Sequence, residues 1–306
     1  MANKSVMTTT QAPHGVNIYL QKQALKTIDK FIVHARWGQD ATLPQNEGET
    51  MKWIRWAALT AQTTPLIETE DPNAILATRS DLSVQLQEYG AWMQLSSKLK
   101  MTGLKGTQAQ LTERLAKQLQ LTIDTLCRDV IAGGASTTTA SNSSGVGTLP
   151  NKTDIDSITK TLYSAGAEPI TGIVSASTGQ GTSPQLPAYI GIAHTDAMIR
   201  LQNVSGFLSI KNYANTTPYP QEWGQTGMVR WLLTNNGYIA SNGTTYYATI
   251  LGQGAFGNIK LRAGDSPLIQ TPGTSPLGRW STVGWSVWYA AKVLNELLMH
   301  QLIHTV

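Results

Sequence analysis

Between Gly106 and Ile131 the apolar residues Leu111, Leu115, Leu119, Ile123, Leu126 and Val130 recur at intervals of three and four. Arg114, Lys117, Asp124 and Arg128 stand among them. This spacing predicts an α-helix with one apolar stripe and a polar remainder. Thr107 is placed to cap its start, and Gly133-Gly134 to stop its end. At about 1.5 Å per residue the helix is roughly 36–40 Å long. It is the strongest element in the chain. Cys127 lies beside the stripe, which makes it a buried packing thiol rather than a nucleophile with a basic partner.

The sequence before this helix divides into three. Residues 1 to 15 are small and polar and read as disordered. From Tyr19 to Trp37 the apolar positions Leu20, Leu25, Ile28, Phe31 and Ile32 suit a short helix closed by Gly38. Met51 to Leu59 then reads as a strand, with Trp53 on one face and Ile54 and Trp56 on the other, and Leu82 to Leu95 as a second strand. Between them runs a polar excursion with Pro65, Pro72 and carboxylates that include Glu68 and Glu70. Together these make a long hairpin with an elaborate tip. A two-stranded hairpin is marginal in water, and its two tryptophans would be poorly covered. The expectation is that it lies on something else, a neighbouring subunit.

After the helix, AGGASTTTASNSSGVGTLP reads as a flexible linker. Ile155 to Ala165 is a short helix capped by Thr153 or Asp154, and a Gly/Ser/Thr/Pro-rich loop covers Thr171 to Pro187. AYIGIAH is a buried strand, and TDAMIRLQN a helix capped by Thr195 or Asp196. Beyond Gly224 the chain is β-rich, in MVRWLLT, TYYATIL, NIKLRA and the closing WSVWYAAKVLNELLMHQLIHTV. The class is α+β.

Composition limits the partners. Charged residues make up 14% of the 306, well below the usual quarter or so. A surface with few charges tolerates extensive self-contact and suits a subunit of an assembly. The net charge of +4 is small, and no cluster of five or six basic residues marks a dedicated nucleic-acid binder. A single cysteine excludes an internal disulfide and points to a reducing compartment. There is no signal-peptide run, and no apolar stretch of about eighteen residues to span a membrane.

Three motifs invite chemistry. TYYATIL followed by GQGAFG, Gly252 to Gly257, has the form of a strand entering a dinucleotide-binding turn. That motif needs a helix whose N-terminal amides meet the pyrophosphate. NIKLRAGD follows instead, and Asp265 is too close to be the ribose carboxylate. A glycine turn or bulge is the better reading. K-W-I-R-W interleaves Lys52 and Arg55 with Trp53, Ile54 and Trp56, as a single-strand-binding surface does. Two basic residues beside a carboxylate-rich loop fit a packed strand better. His300 and His304 resemble H-E-x-x-H, but Gln301 stands where the general base belongs, so no metal site is expected. No catalytic residue, cofactor or metal ligand is assigned.

In order, the chain offers an arm, an aromatic hairpin, a long helix, an α/β segment and returning strands. That order resembles the Hong Kong 97-type fold of tailed-phage major capsid proteins, and more closely the capsid family named after phage N4. The stretches that carry the resemblance are IDKFIVHARWGQDATLPQNEGETMKWIRWAALTAQTTPLIET, TERLAKQLQLTIDTLCRDVIAGGAS, AHTDAMIRLQN and QEWGQTGMVRWLLTN, with YYATILGQGAFG and SPLGRWSTVGWSVWYAAKVLNELLM. His194-Thr195 and Trp285-Ser286 depart from that family's usual His-Pro and Trp-Lys. The resemblance implies an N-arm (1–45), an E-loop hairpin (46–96), a P-domain with the spine helix (97–150), an A-domain (151–274) and returning P-domain strands (275–306). It implies a non-enzymatic virion shell protein, assembled in the host cytoplasm as hexamers and pentamers round double-stranded DNA. Its partners would be itself, portal and scaffold or decoration proteins, and non-specifically the packaged DNA. Trp53, Arg55, Trp56, Glu68 and Glu70 become inter-subunit candidates, Leu111, Leu115, Leu119, Ile123 and Leu126 spine packing, and Gly252, Gly254 and Gly257 a turn between two A-domain strands. The alternative is a nucleotide-binding enzyme that uses GQGAFG.

Overall fold

The computed structural model describes residues 32–44, 48–66, 68, 72–102, 107–144, 147–172, 186–213, 218–261, 268–271 and 279–306. Glu70, Asp265, Gly106, the first part of the expected Tyr19–Trp37 helix, most of the 171–187 loop and the Thr107 side chain lie outside what is described. The last four residues of that expected helix, His34–Trp37, form one 3-10 turn that ends on extended Gly38. Then comes β1 (Gln39–Leu43).

The hairpin pairs β2 (Thr50–Trp56) with β3 (Arg79–Gln85), setting Trp53 opposite Leu82 and Trp56 opposite Arg79. The expected single strand Leu82–Leu95 breaks at Leu86, and β4 (Gln87–Ser96) belongs to another sheet. Leu86 turns the corner because its side chain is buried with Leu43 and Ile259, while its N–H bonds Glu49 O at 2.9 Å.

After α1 (Ser97–Thr102), α2 spans Thr107–Gly134, about 42 Å at 1.5 Å per residue. Its stripe serves two cores in turn. Leu111, Leu115 and Leu119 pack with Leu95, Val283 and Trp285, whereas Ile123, Leu126, Cys127 and Ile131 pack with Ile190, Leu232 and Phe256.

The expected flexible linker holds three short strands: β5 (Ser136–Thr139), β6 (Asn142–Ser144) and β7 (Gly147–Leu149). Their ladder bonds stabilise them with little apolar burial, so no alternation in the sequence marks them. In α3 (Lys152–Ser164) the cap is Asn151, whose side chain accepts the Asp154 N–H at 2.8 Å. Asp154, expected as a cap, instead accepts the N–H and hydroxyl of Ser141. After β8 (Tyr189–His194), the His194 side chain caps a 3-10 turn at Thr195–Ala197 that leads into α4 (Met198–Gln202).

The remaining strands are β9 (Phe207–Ser209), β10 (Glu222–Thr226), β11 (Val229–Thr234), β12 (Thr245–Leu251), β13 (Phe256–Leu261), β14 (Leu268–Thr271), β15 (Trp280–Val293) and β16 (Met299–Thr305). A seven-stranded sheet runs β5-β16-β12-β8-β11-β10-β9. One of its faces turns Tyr189, Ala193, Trp231 and Ile250 towards Ile155, Ile158 and Leu162 of α3, and the other turns Ile190, Ile192 and Leu232 towards α2. A five-stranded sheet runs β1-β13-β15-β14, with β4 also paired to β15.

Candidate functional site

The two faces of the hairpin differ. Met51 and Trp53 face the chain's own body, in a cluster with Leu43, Leu86 and Ile259. The indole lies so close to Gly257 that a Cβ there would come within 2.8 Å of Trp53 Cζ2. This corrects the expectation that both tryptophans are poorly covered, because Trp53 is half-buried against its own chain. Ile54 and Trp56 point the other way, and Trp56 is 61% exposed. The segment beyond adds exposed Leu59, Leu66, Ile75 and Leu76. Arg55 and Glu68 are exposed as well. Burial of a large side chain typically contributes about 1.5–3 kcal/mol. This row of apolar groups therefore represents a substantial free energy available to a second surface.

A second apolar surface lies on the five-stranded sheet. Along β15, Val283, Trp285 and Tyr289 point inward, Val283 and Trp285 onto α2. The alternate residues Thr282, Gly284, Ser286 and Trp288 face away, opposite Gln94, Trp92, Gly90 and Glu88 of β4. Between them opens a groove of about 520 Å³ lined by Glu88, Gly90, Trp92, Thr282, Gly284 and Ser286. Trp92 is 67% exposed. Glycine keeps the floor low, since a Cβ on Gly284 would stand 2.8 Å from Trp92 Cβ. Glu88, the one charged lining residue, accepts a hydrogen bond from the Ser286 hydroxyl. Sequence reading missed this groove because its two walls are about 190 residues apart; alternation in WSTVGWSVWY was the available signal.

The motifs that suggested chemistry are placed otherwise. GQGAFG leads from β12 into β13, and these belong to different sheets. It is therefore a crossing between the two sheets, not a turn between two strands of the α/β region. No helix follows it. Gly252 is held by the Leu298 carbonyl at 2.8 Å, and Gly254 has φ +72°, where L side chains are strained. His300 and His304 lie on β16, a strand and not a helix. His300 Nε2 meets Thr138 Oγ1 at 2.6 Å, and the His304 ring stacks on Tyr246. Among the described residues no group of three metal-ligating side chains converges. Cys127 is fully buried against Tyr289 and Asn258, and burial pushes its thiol up to about 12, so no thiolate is available at neutral pH.

No protein-family model matches the chain, nor does any curated protein. Solved structures do. The capsid of Ralstonia phage GP4 superposes with a TM-score of 0.67 at 12% identity, covering 99% of this chain and 98% of that one. The capsid of cyanophage P-SCSP1u gives 0.65 at 11% identity, over 95% and 93%. The head structure of Helicobacter pylori bacteriophage KHP40 gives 0.59 at 11%, over 98% and 97%. The chain has the phage-capsid fold. The α+β architecture expected from the order of its elements, of the Hong Kong 97 type, is the one observed, and the likeness spans nearly the whole of each chain.

Proposed function

We propose that this chain is the major shell subunit of a tailed-phage head, of the N4-type capsid family and without enzymatic activity. Copies assemble as hexamers and pentamers into an icosahedral shell round double-stranded DNA. The carrying observation is the bare face of the hairpin, Ile54 and Trp56, on a chain whose fold is that of phage capsids. Self-association through many modest interfaces gives such a shell its collective stability. In this reading α2 is the spine helix and the seven-stranded sheet forms the A-domain, which takes in β5 and β16 from outside 151–274 and leaves β13 and β14 to the P-domain sheet. The E-loop ends at Leu86 rather than at residue 96, because β4 pairs with β15 of the P-domain. Arg55 and Glu68 lie at subunit contacts, as does Glu70. Portal and scaffold or decoration proteins are its further partners, and the small positive balance favours sequence-independent contact with DNA.

Negative-stain images of the purified protein test this reading. Closed shells are expected from the wild type and none from the Ile54→Ser/Trp56→Ser variant, which should still fold. A chain that stays monomeric under every assembly condition overturns it. The single-strand-binding reading is disfavoured because the Trp53 ring is taken up in packing against Gly257.

A further inference from the structure

One carboxylate in the apolar face of α2 has no part in assembly as described above. Asp124 is fully buried, a position that is costly for a charge unless every lone pair finds a donor. It finds five. Oδ1 accepts the backbone N–H groups of Val33, His34 and Ala35 at 3.0, 2.7 and 3.3 Å. Oδ2 lies 3.0 Å from His34 Nδ1 and accepts from Asn236 Nδ2 at 2.9 Å. Burial acts to raise the Asp124 pKa. The hydrogen bond and charge of His34, with Asn236 and the Ala35 amide, outweigh it and hold the carboxyl below its ordinary range.

The donors come from two separate parts of the molecule. Residues 33–35 are where the chain enters the described body. Asn236 lies in the turn after β11, in the seven-stranded sheet, and is tied to α2 by Thr125 Oγ1 at 3.3 Å and Arg128 Nη1 at 3.2 Å. His34 and Asn236 thus share one oxygen of one side chain. A second clamp, Asn258 Nδ2 on Ala35 O at 2.9 Å, ties the same segment only to β13 of the five-stranded sheet.

We propose that Asp124 is a positioning residue that couples the N-terminal segment, residues 33–35, to the seven-stranded sheet, so that the setting of this segment and that of the 235–238 turn form a single state. The coupling is reciprocal. Whatever engages the N-terminal segment shifts the turn, and whatever engages the turn shifts the segment. The inference is independent of the shell reading.

Hydrogen exchange of the purified full chain tests it, with peptides covering 33–37, 235–238 and β8. Asn236→Ala should accelerate exchange at 33–37 by about tenfold or more, within the range usual for coupled sites, and leave β8 unchanged. His34→Ala should do the same at 235–238, and Asn258→Ala should leave 235–238 at wild-type rates. Asp124→Asn should release both segments; should it not fold, the other three variants suffice. The proposal is overturned if Asn236→Ala leaves 33–37 at wild-type rates, or if all three peptides accelerate by one common factor.

Discussion

The two sheets of this protein both carry tryptophans and β-branched residues on their strands but end in opposite states. In the seven-stranded sheet both faces are covered, one by α3 and α4 and the other by α2, and every residue of β11 is buried. In the five-stranded sheet α2 covers one face only, and Trp92, Trp280 and Trp288 of the other face are exposed. The hairpin repeats the contrast in miniature, with Trp53 packed on Gly257 and Trp56 bare. A sheet sealed on both faces needs nothing more to be stable. One sealed on a single face keeps apolar area for a partner, and so divides folding from association within one chain.

Substitutions can break this comparison. Trp231→Ala, in the sealed sheet, should lose about 3–5 kcal/mol by denaturant titration, because the cavity would lie between two covered faces. Trp53→Ala should cost about half as much, being partly exposed. Gly284→Val should cost about 1–3 kcal/mol by overpacking against Trp92 Cβ and the Ala91 carbonyl, and should also fill the groove and reduce shell yield in sedimentation. Trp56→Ala should change subunit stability by no more than about 0.5 kcal/mol while lowering shell yield. Were Trp56→Ala to cost as much as Trp53→Ala in the isolated subunit, the distinction between the two hairpin faces would fail.

The smallest effect, acidification, sharpens the comparison. Burial holds His300 and His304 of the sealed sheet below the ordinary histidine range, and the charge of His194 adds to this at His304. The unfolded chain takes up protons as pH falls below about 6.5, while the folded chain resists. Their contribution is therefore complete above that pH and lost below it. Asp124 acts with the same sign in a lower window, since its carboxyl is held below the usual range and its contribution is lost only as pH falls beneath about 3.9. Melting temperature should fall from pH 7 to pH 5, and His304→Phe should flatten that slope. An unchanged slope would exclude His304 as its source.

Much of this contrast is legible in the sequence. VRWLLT and AYIGIAH lack alternation because both faces of their strands are buried, whereas WSTVGWSVWY alternates because one face is not. The long helix is equally legible, because its period and its packing obey the same geometry. The strands of the 132–150 segment are not, since edge hydrogen bonds rather than burial define them. Nor is the break at Leu86, where the local pattern continues but the pairing partner changes. The sequence by itself determined the α+β class and the dominant helix, and the departures of GQGAFG and of His300–His304 from the motifs they resemble. Only the tertiary structure decided that GQGAFG crosses between sheets, that Trp53 is half-buried while Trp56 is exposed, and that Asp124 joins residues 33–35 to Asn236. Period and composition report which face of an element is apolar. What that face meets depends on residues a hundred or more positions away, whose approach no local pattern encodes.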